Sequence, residues 1–133
     1  MKKPIKKLLV PIDPLNNNDS LTKTVATLAK QLGAKVHILV VVFMRDAKKV
    51  IRLKTTEEHA KLFREQGIET TCELIRLGDG QNRLAAKIVE VAKGYDMIVM
   101  GHHKFDRIYR FLHQSIAQDV INTASCPVVV VPG

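Results

Sequence analysis

The chain alternates short, almost wholly apolar runs with segments whose apolar residues recur at helical spacing. The apolar runs predict strands over residues 5–12, 36–43, 96–100 and 128–131, with a more polar strand over 68–77. The helical repeats predict helices over 20–32, 55–66, 82–93 and 115–123. For the first helix, Asp19 or Ser20 is the expected N-cap and Gly33 the expected stop. Five strands separated by helices favour an α/β fold, a doubly wound five-stranded parallel sheet with helices on both faces.

The polarity of the third strand selects between two strand orders. Leu8-Leu9-Val10 is an unbroken apolar run, as expected for a strand that helices cover on both faces. The third strand instead mixes apolar residues with Glu69, Glu73 and Arg76, so one of its faces is expected to be wet. An edge position for this strand favours the Rossmann-like order 3-2-1-4-5 over the flavodoxin-like order 2-1-3-4-5.

Length and composition indicate one packed domain spanning residues 1–133. The chain has 133 residues, of which 46% are hydrophobic and 26% charged, which is the composition of an ordinary globular domain. The sequence has neither an apolar run of the ~18 residues that a membrane span needs nor the apolar stretch of a signal peptide at its start. We therefore expect a cytoplasmic protein that does not enter a membrane.

The net charge of +8 does not by itself indicate nucleic-acid binding. The lysines are spread along the whole chain, and only 5% of residues are aromatic side chains that could stack on bases. We expect most of this charge to be solvated surface and no specific nucleic acid to be a partner. Cys72 and Cys126 fit neither a disulfide framework nor a zinc site, so both are predicted to be free, buried thiols.

Two strand ends carry the candidate chemistry, because ligands of such sheets bind at the carboxyl ends of the strands that flank the switch point. The first is Val10-Pro11-Ile12-Asp13 and the second is Met100-Gly101-His102-His103-Lys104. Together with the helix sequence at 115–124 and the Cys-Pro-Val-Val-Val-Val-Pro finish at 126–132, these segments resemble the universal stress protein family over essentially the full chain.

The resemblance implies a nucleotide site whose phosphate end is degenerate. Family members that bind ATP carry G-x2-G-x9-G-[ST] after the fourth strand, and backbone amides of this motif form an anion nest at a helix N-terminus. Here Gly101 and Ser115 match, whereas Lys104 and Gln114 stand at the other two glycine positions. A side chain at such a position costs about 1–2 kcal/mol if the backbone needs a positive φ. The Gly-His-His start also resembles the subgroup typified by universal stress protein A, which lacks the full motif.

The nucleoside end matches the family better. By resemblance, Asp13 is the carboxylate near the ribose and Val41 the second-strand residue whose backbone faces adenine, and Pro11 and Met100 complete the set at the two strand ends. Asp13 is also explained as a turn residue before Pro14, and Ser115 as a plain helix N-cap. Lys104 is either a solvated loop residue or a point charge for a phosphate.

These residues lead to two alternative functions. The first is a non-enzymatic stress-response module that acts as a homodimer through the Val128–Val131 edge strand, with unknown protein partners and weak binding of ATP or ADP. The second is a competent ATP- or ADP-binding member that uses Lys104 and Ser115 for the phosphates, with slow ATP hydrolysis. We expect no catalytic residues and no metal other than Mg²⁺ accompanying a nucleotide, since His102 and His103 lack a third ligand at suggestive spacing.

Overall fold

The protein forms one parallel sheet of five strands, seen in a computed structural model that describes residues 4–12, 18–43, 54–78, 82–102 and 116–132. The strands are β1 (Lys7–Ile12), β2 (Lys35–Phe43), β3 (Thr70–Leu77), β4 (Met97–His102) and β5 (Val128–Pro132). Their spatial order is β3-β2-β1-β4-β5, and every neighbouring pair is parallel. The predicted order 3-2-1-4-5 is confirmed, with β3 at one edge.

Helices cover both faces of the sheet and divide its core in two. The helices are α1 (Asp19–Leu32), α2 (Lys54–Glu65), α3 (Asn82–Ala92) and α4 (Ile116–Thr123). One cluster of buried side chains joins α1 and α2 to residues such as Leu8 and Ile38, and a second joins α3 and α4 to residues such as Leu9 and Leu39. Successive residues of a strand point to opposite faces, so each central strand supplies both cores. This explains the unbroken apolar runs and confirms the doubly wound fold.

The ends of α1 correct one prediction and confirm another. The N-cap is Asn18, because Asp19 and Ser20 are already helical and the backbone N–H of Thr22 donates to the Asn18 carbonyl at 2.9 Å. Gly33 ends the helix in the left-handed conformation at φ 63°, which glycine adopts without the steric cost of a Cβ. Asp19 instead lies in the first turn, where its charge opposes the helix dipole favourably.

The strand boundaries differ from the predicted ones by one or two residues, and two of these differences are explained by backbone hydrogen bonding. β3 begins at Thr70 rather than at residue 68, since the Ile68 N–H donates back to the Phe63 carbonyl at the end of α2. β4 continues through Gly101 and His102, which pair with Val131 and Pro132 of β5. Gly101 is therefore a strand residue and not the first residue of a loop. In the described part of the chain, no helix is both long enough and apolar enough to span a membrane.

Candidate functional site at the carboxyl ends of β1 and β4

The amino ends of β1 and β4 are tied together by one side chain. The Asp96 carboxylate accepts hydrogen bonds from the backbone N–H groups of Lys6 (2.9 Å) and Lys7 (3.0 Å). The backbone N–H of Asp96 also donates to the Lys7 carbonyl at 2.9 Å. The two strands, which are adjacent in space but far apart in sequence, are thereby held in register at this end.

The carboxyl ends of the same strands are not paired to each other. The pairs between β1 and β4 are Leu8–Met97 and Leu9–Ile98. By contrast, the pairing of β1 with β2 continues to Ile12, and that of β4 with β5 continues to His102. Pro11 has no N–H to donate to a ladder, which fits the end of the pairing at this point. The sheet therefore opens between β1 and β4, at the switch point where doubly wound folds bind ligands.

Three predicted site residues form a row across one face beside this opening. Val41 and Met100 are buried in the core on the α3 and α4 side. Pro11 lies on the same face because it is two residues after Leu9, which belongs to that core. Continuing the β1–β4 register by two residues sets Pro11 beside Met100. On the other side, Pro11 pairs with Leu39 of β2, and Val41 lies two residues beyond Leu39. The structure thus brings Val41, Pro11 and Met100 onto three adjacent strands, where the side chains of Val41 and Met100 are buried and that of Pro11 is half-buried.

Gly101 lies on the face of β4 opposite to Met100. This is the face of Val99, which is packed in the core with α1 and α2. Gly101 is half-buried and paired with Val131. Gly101 lies near the carboxyl end of β4, and the connection to α4 begins only after His102. The remaining predicted site residues, Asp13, Lys104, Gln114 and Ser115, lie outside the described residues, as does His103.

The N-terminus of α4 belongs to the same end of the sheet. A helix that connects two parallel strands runs antiparallel to them, so α4 begins near the carboxyl ends of β4 and β5. Ala117 and Val120 anchor it in the second core cluster. The first turn of a helix presents free N–H groups and a partial positive charge of about half an elementary charge. This end of α4 can therefore attract an anionic group.

The two cysteines lie at opposite edges of the sheet and are unpaired. Both thiols are half-buried, whereas the sequence predicted buried ones. Burial raises the pKa of Cys72, and so do its hydrogen bond to Glu57 (Sγ to Oε1, 3.2 Å) and the charge of that carboxylate, while Arg64 opposes these effects. Burial likewise raises the pKa of Cys126. Both thiols are protonated at neutral pH, which makes them poor nucleophiles.

Sequence reasoning missed a polar cluster on β2 and β3. His37 contacts the side chains of Thr71 and Glu73 and stacks on Tyr95, with ring centroids 5.4 Å apart. The sequence signal was weak, since polar residues on an edge strand normally indicate only a wet face. Knowledge of the β2–β3 register, which pairs His37 with Thr71, is needed to bring these side chains together. In the described ranges, no group of three His, Cys, Asp or Glu side chains is placed to hold a metal ion.

Comparison with known proteins identifies the family. The universal stress protein family model matches residues 4–132. Universal stress protein MJ0531 of Methanocaldococcus jannaschii is 28% identical over 138 residues, covering 95% of this chain and 81% of that protein. A universal stress protein of Archaeoglobus fulgidus solved in complex with dAMP has a TM-score of 0.68 at 21% identity, over 97% of this chain and 99% of that one. A universal stress protein in complex with cAMP has a TM-score of 0.67 at 18% identity, over 98% of both chains.

A doubly wound parallel sheet in the order β3-β2-β1-β4-β5 defines a Rossmann-like α/β protein. Since the family match extends over nearly all of the sequence, this chain belongs to the universal stress protein family.

Proposed function

We propose that the protein is a stress-response module that performs no chemistry on its nucleotide, works as a homodimer and binds adenine nucleotides weakly at the opening between β1 and β4. The observation that carries this proposal is the contrast between the two ends of the β1–β4 pair. Asp96 clamps the amino ends, whereas the carboxyl ends part beside an apolar row. An opening at the carboxyl end suits a small ligand better than a continuous ladder would.

The proposal that the nucleoside part of the ligand binds at the opening is supported by the apolar row of Val41, Pro11 and Met100. Pro11 and Met100 lie at the opening, the backbone of Val41 is expected to face an adenine ring there, and Asp13, the residue after β1, is the expected partner for ribose hydroxyls. The neighbours that were solved with dAMP and with cAMP have the same fold as this chain. Both ligands are adenine nucleotides with a single phosphate, so neither needs a site for a triphosphate.

The phosphate end is expected to limit the affinity for ATP. Ser115 and the first N–H groups of α4 can hold one phosphate. Lys104 and Gln114 replace two of the glycines through which the family's ATP-binding members present their amides. A Cβ at such a position blocks close approach of a phosphate or forbids a left-handed backbone. The consequence is a site that favours the nucleoside and loses affinity at the β- and γ-phosphates.

The homodimer is supported by the exposed edge of β5. This strand pairs with β4 on one side, and Val128, Val129 and Val130 are only half-buried although they are apolar. A free apolar edge is a pairing hazard that proteins cover. A second copy of β5 would cover it by extending the sheet, and would bury valines of both subunits. Signalling to other proteins would then proceed from the assembled dimer.

The alternative function is a competent ATP- or ADP-binding protein with slow ATP hydrolysis. It is favoured by one feature of the sequence, the ammonium group of Lys104 at a motif position, which could replace backbone donors as a point charge. Equilibrium titration with labelled ATP and labelled AMP, each with and without Mg²⁺, separates the two functions. Comparable binding of AMP and ATP, both weak, supports the module. Binding of ATP that is much tighter than binding of AMP and depends on Mg²⁺ supports the alternative.

A further inference from the structure

A hydroxyl, an imidazole and a carboxylate lie in line across β2 and β3, toward the amino ends of these strands. The Thr71 Oγ1 and His37 Nδ1 atoms are 2.6 Å apart, and the His37 Nε2 and Glu73 Oε1 atoms are 3.1 Å apart. The strand register explains the arrangement. His37 pairs with Thr71, and Glu73 follows two residues later on the same face. Val41 is four residues further along β2, roughly 13 Å away, so this cluster is separate from the nucleotide site.

One tautomer of His37 satisfies both contacts at once. With its proton on Nε2, the ring donates to the Glu73 carboxylate, and Nδ1 accepts from the Thr71 hydroxyl. Tyr95 stacks on the ring at an interplanar angle of 20° and fixes its plane. Only 13% of the His37 side chain is exposed. The imidazole is thus held in a single orientation by a carboxylate on one nitrogen and an aromatic ring on its face.

The hydroxyl end of the cluster faces solvent. Thr71 and Glu73 are exposed, although the imidazole between them is largely covered. A reagent can therefore reach Thr71 from solvent, and the Thr71 hydroxyl donates to His37 Nδ1. A nucleophile within hydrogen-bond reach of a base, with the base oriented by a third group, is the structural signature of an activated hydroxyl.

We propose that Thr71 is an acyl-accepting hydroxyl, activated by His37 as general base with Glu73 as the positioning residue. Thr71 Oγ1 attacks the carbonyl carbon of an ester while its proton passes to His37 Nδ1. The bond between that carbon and the leaving oxygen, or the leaving sulfur of a thioester, breaks, and the leaving group departs with the electron pair. His37 gives its proton to the leaving group or to solvent, and an acyl ester remains on Thr71. Water then attacks the acyl carbon, again with His37 as base, and frees the carboxylic acid and the Thr71 hydroxyl.

The surroundings restrict the substrates to activated acyl donors, namely aryl esters and thioesters. Lys35 lies on the same face, but its ammonium is ion-paired with Glu69 at 3.1 Å and both side chains are well exposed. Solvent screens such a charge, so it stabilises a developing oxyanion little. The cluster supplies a nucleophile and a base, and the leaving group must supply the rest of the driving force. The expected activity is hydrolysis of esters whose leaving group is a phenol or a thiol.

The test uses the full chain with Cys72 and Cys126 changed to alanine, because thiols also accept acyl groups. It is mixed with p-nitrophenyl acetate, release of p-nitrophenolate is followed, and the acetylated residue is located by mass spectrometry. We expect acetyl on Thr71. Thr71→Val should abolish this label, and His37→Ala should slow its formation by about 100-fold. Glu73→Gln should slow it less, while His59→Ala, which changes a histidine of α2, should leave it unchanged. Far-UV circular dichroism checks that each variant is folded.

Three results overturn the proposal. One is a wild-type rate of p-nitrophenolate release in Thr71→Val with acetyl found on a histidine, since the imidazole would then be the nucleophile. A second is absence of acetyl on Thr71 in the folded parent protein when acid stops the reaction before water can remove the acetyl group. Added imidazole gives a further check, because it should restore labelling of Thr71 in His37→Ala if the lost group acts as a base. Failure of this rescue in a folded variant would assign His37 a merely structural role and contradict the proposal.

Discussion

The side chain of Asp96 accepts a hydrogen bond of 3.0 Å from the backbone N–H of Lys7, and this contact joins β4 to β1 at the amino end of the sheet. The same carboxylate accepts from Lys6. Each strand of this pair has another neighbour, so the sheet is held together at its centre by the short β1–β4 ladder and by this clamp. At the opposite end of the two strands the described residues show no such contact, and the β1–β4 pairing stops at Leu9 and Ile98.

Removal of the clamp should destabilise the protein. Asp96→Ala leaves two backbone N–H groups without their charged acceptor, and a hydrogen bond to a charged group contributes about 1.5–3 kcal/mol. Because both bonds lie near solvent, we expect a loss at the lower end, about 1–2 kcal/mol in the free energy of unfolding. Urea denaturation measures it. Glu69→Ala, which removes an exposed ion pair with Lys35, is the control and should cost no more than about 0.5 kcal/mol. Equal losses in both variants would contradict the clamp.

The proposed dimer predicts that a charge on β5 separates the subunits. Val130→Lys places an ammonium group at an edge that a second β5 would bury, and an unpaired charge is costly to desolvate. Light scattering or sedimentation should show dimers for the wild type and monomers for Val130→Lys. Leu62→Lys is the matched control, since Leu62 is apolar and 52% exposed but lies on α2, which packs at the β3 side of the sheet. A wild type that is monomeric at high micromolar concentration would refute the proposed interface.

The hydrogen bond between Cys72 and Glu57 predicts how the thiol titrates. Glu57 raises the pKa of Cys72 both by accepting a hydrogen bond from the thiol and by its negative charge, so Glu57→Gln should lower this pKa. More thiolate is then present at pH 8, and alkylation by iodoacetamide should be faster, with its pH profile moved to lower pH. The measurement is made in a Cys126→Ala background. Glu58→Gln, a neighbouring exposed change on α2, should have little effect. An unchanged profile in Glu57→Gln would mean that burial alone sets the pKa.

The strand order also predicts that no disulfide forms within the chain. Cys72 lies on β3 and Cys126 directly precedes β5, and these edges are four strand spacings apart, roughly 19 Å. A disulfide needs Cα atoms within about 7 Å. Thiol titration after unfolding without reductant should therefore find two thiols per chain. Finding none in a protein that runs as a monomer under denaturing conditions would refute the strand order itself.

Fold and site differ in how far the sequence determines them. The apolar runs of β1 and β2 and the polar character of β3 were enough to predict the strand order, because burial on two faces leaves a direct mark on composition. The extension of β4 through His102 was missed. It depends on pairing with β5, and this pairing cannot be predicted from the local sequence of β4. The cluster around His37 was missed for the same reason. His37 is 34 residues from Thr71 and 36 from Glu73 along the chain, and only the β2–β3 register brings them together.

The central claim, a nucleotide site weakened by two lost glycines, is tested most directly by comparing ATP affinity before and after the glycines are restored. In Lys104→Gly with Gln114→Gly, backbone amides regain access to the phosphates and the dihedral restriction of a Cβ is removed. If steric cost dominates, the double variant should bind ATP at least about 10-fold more tightly than the wild type, equivalent to about 1.4 kcal/mol. Loss of a working lysine–phosphate contact has the opposite sign. A wild type that binds ATP well, with weaker binding by Lys104→Gly, would contradict the account and favour the competent ATP-binding alternative.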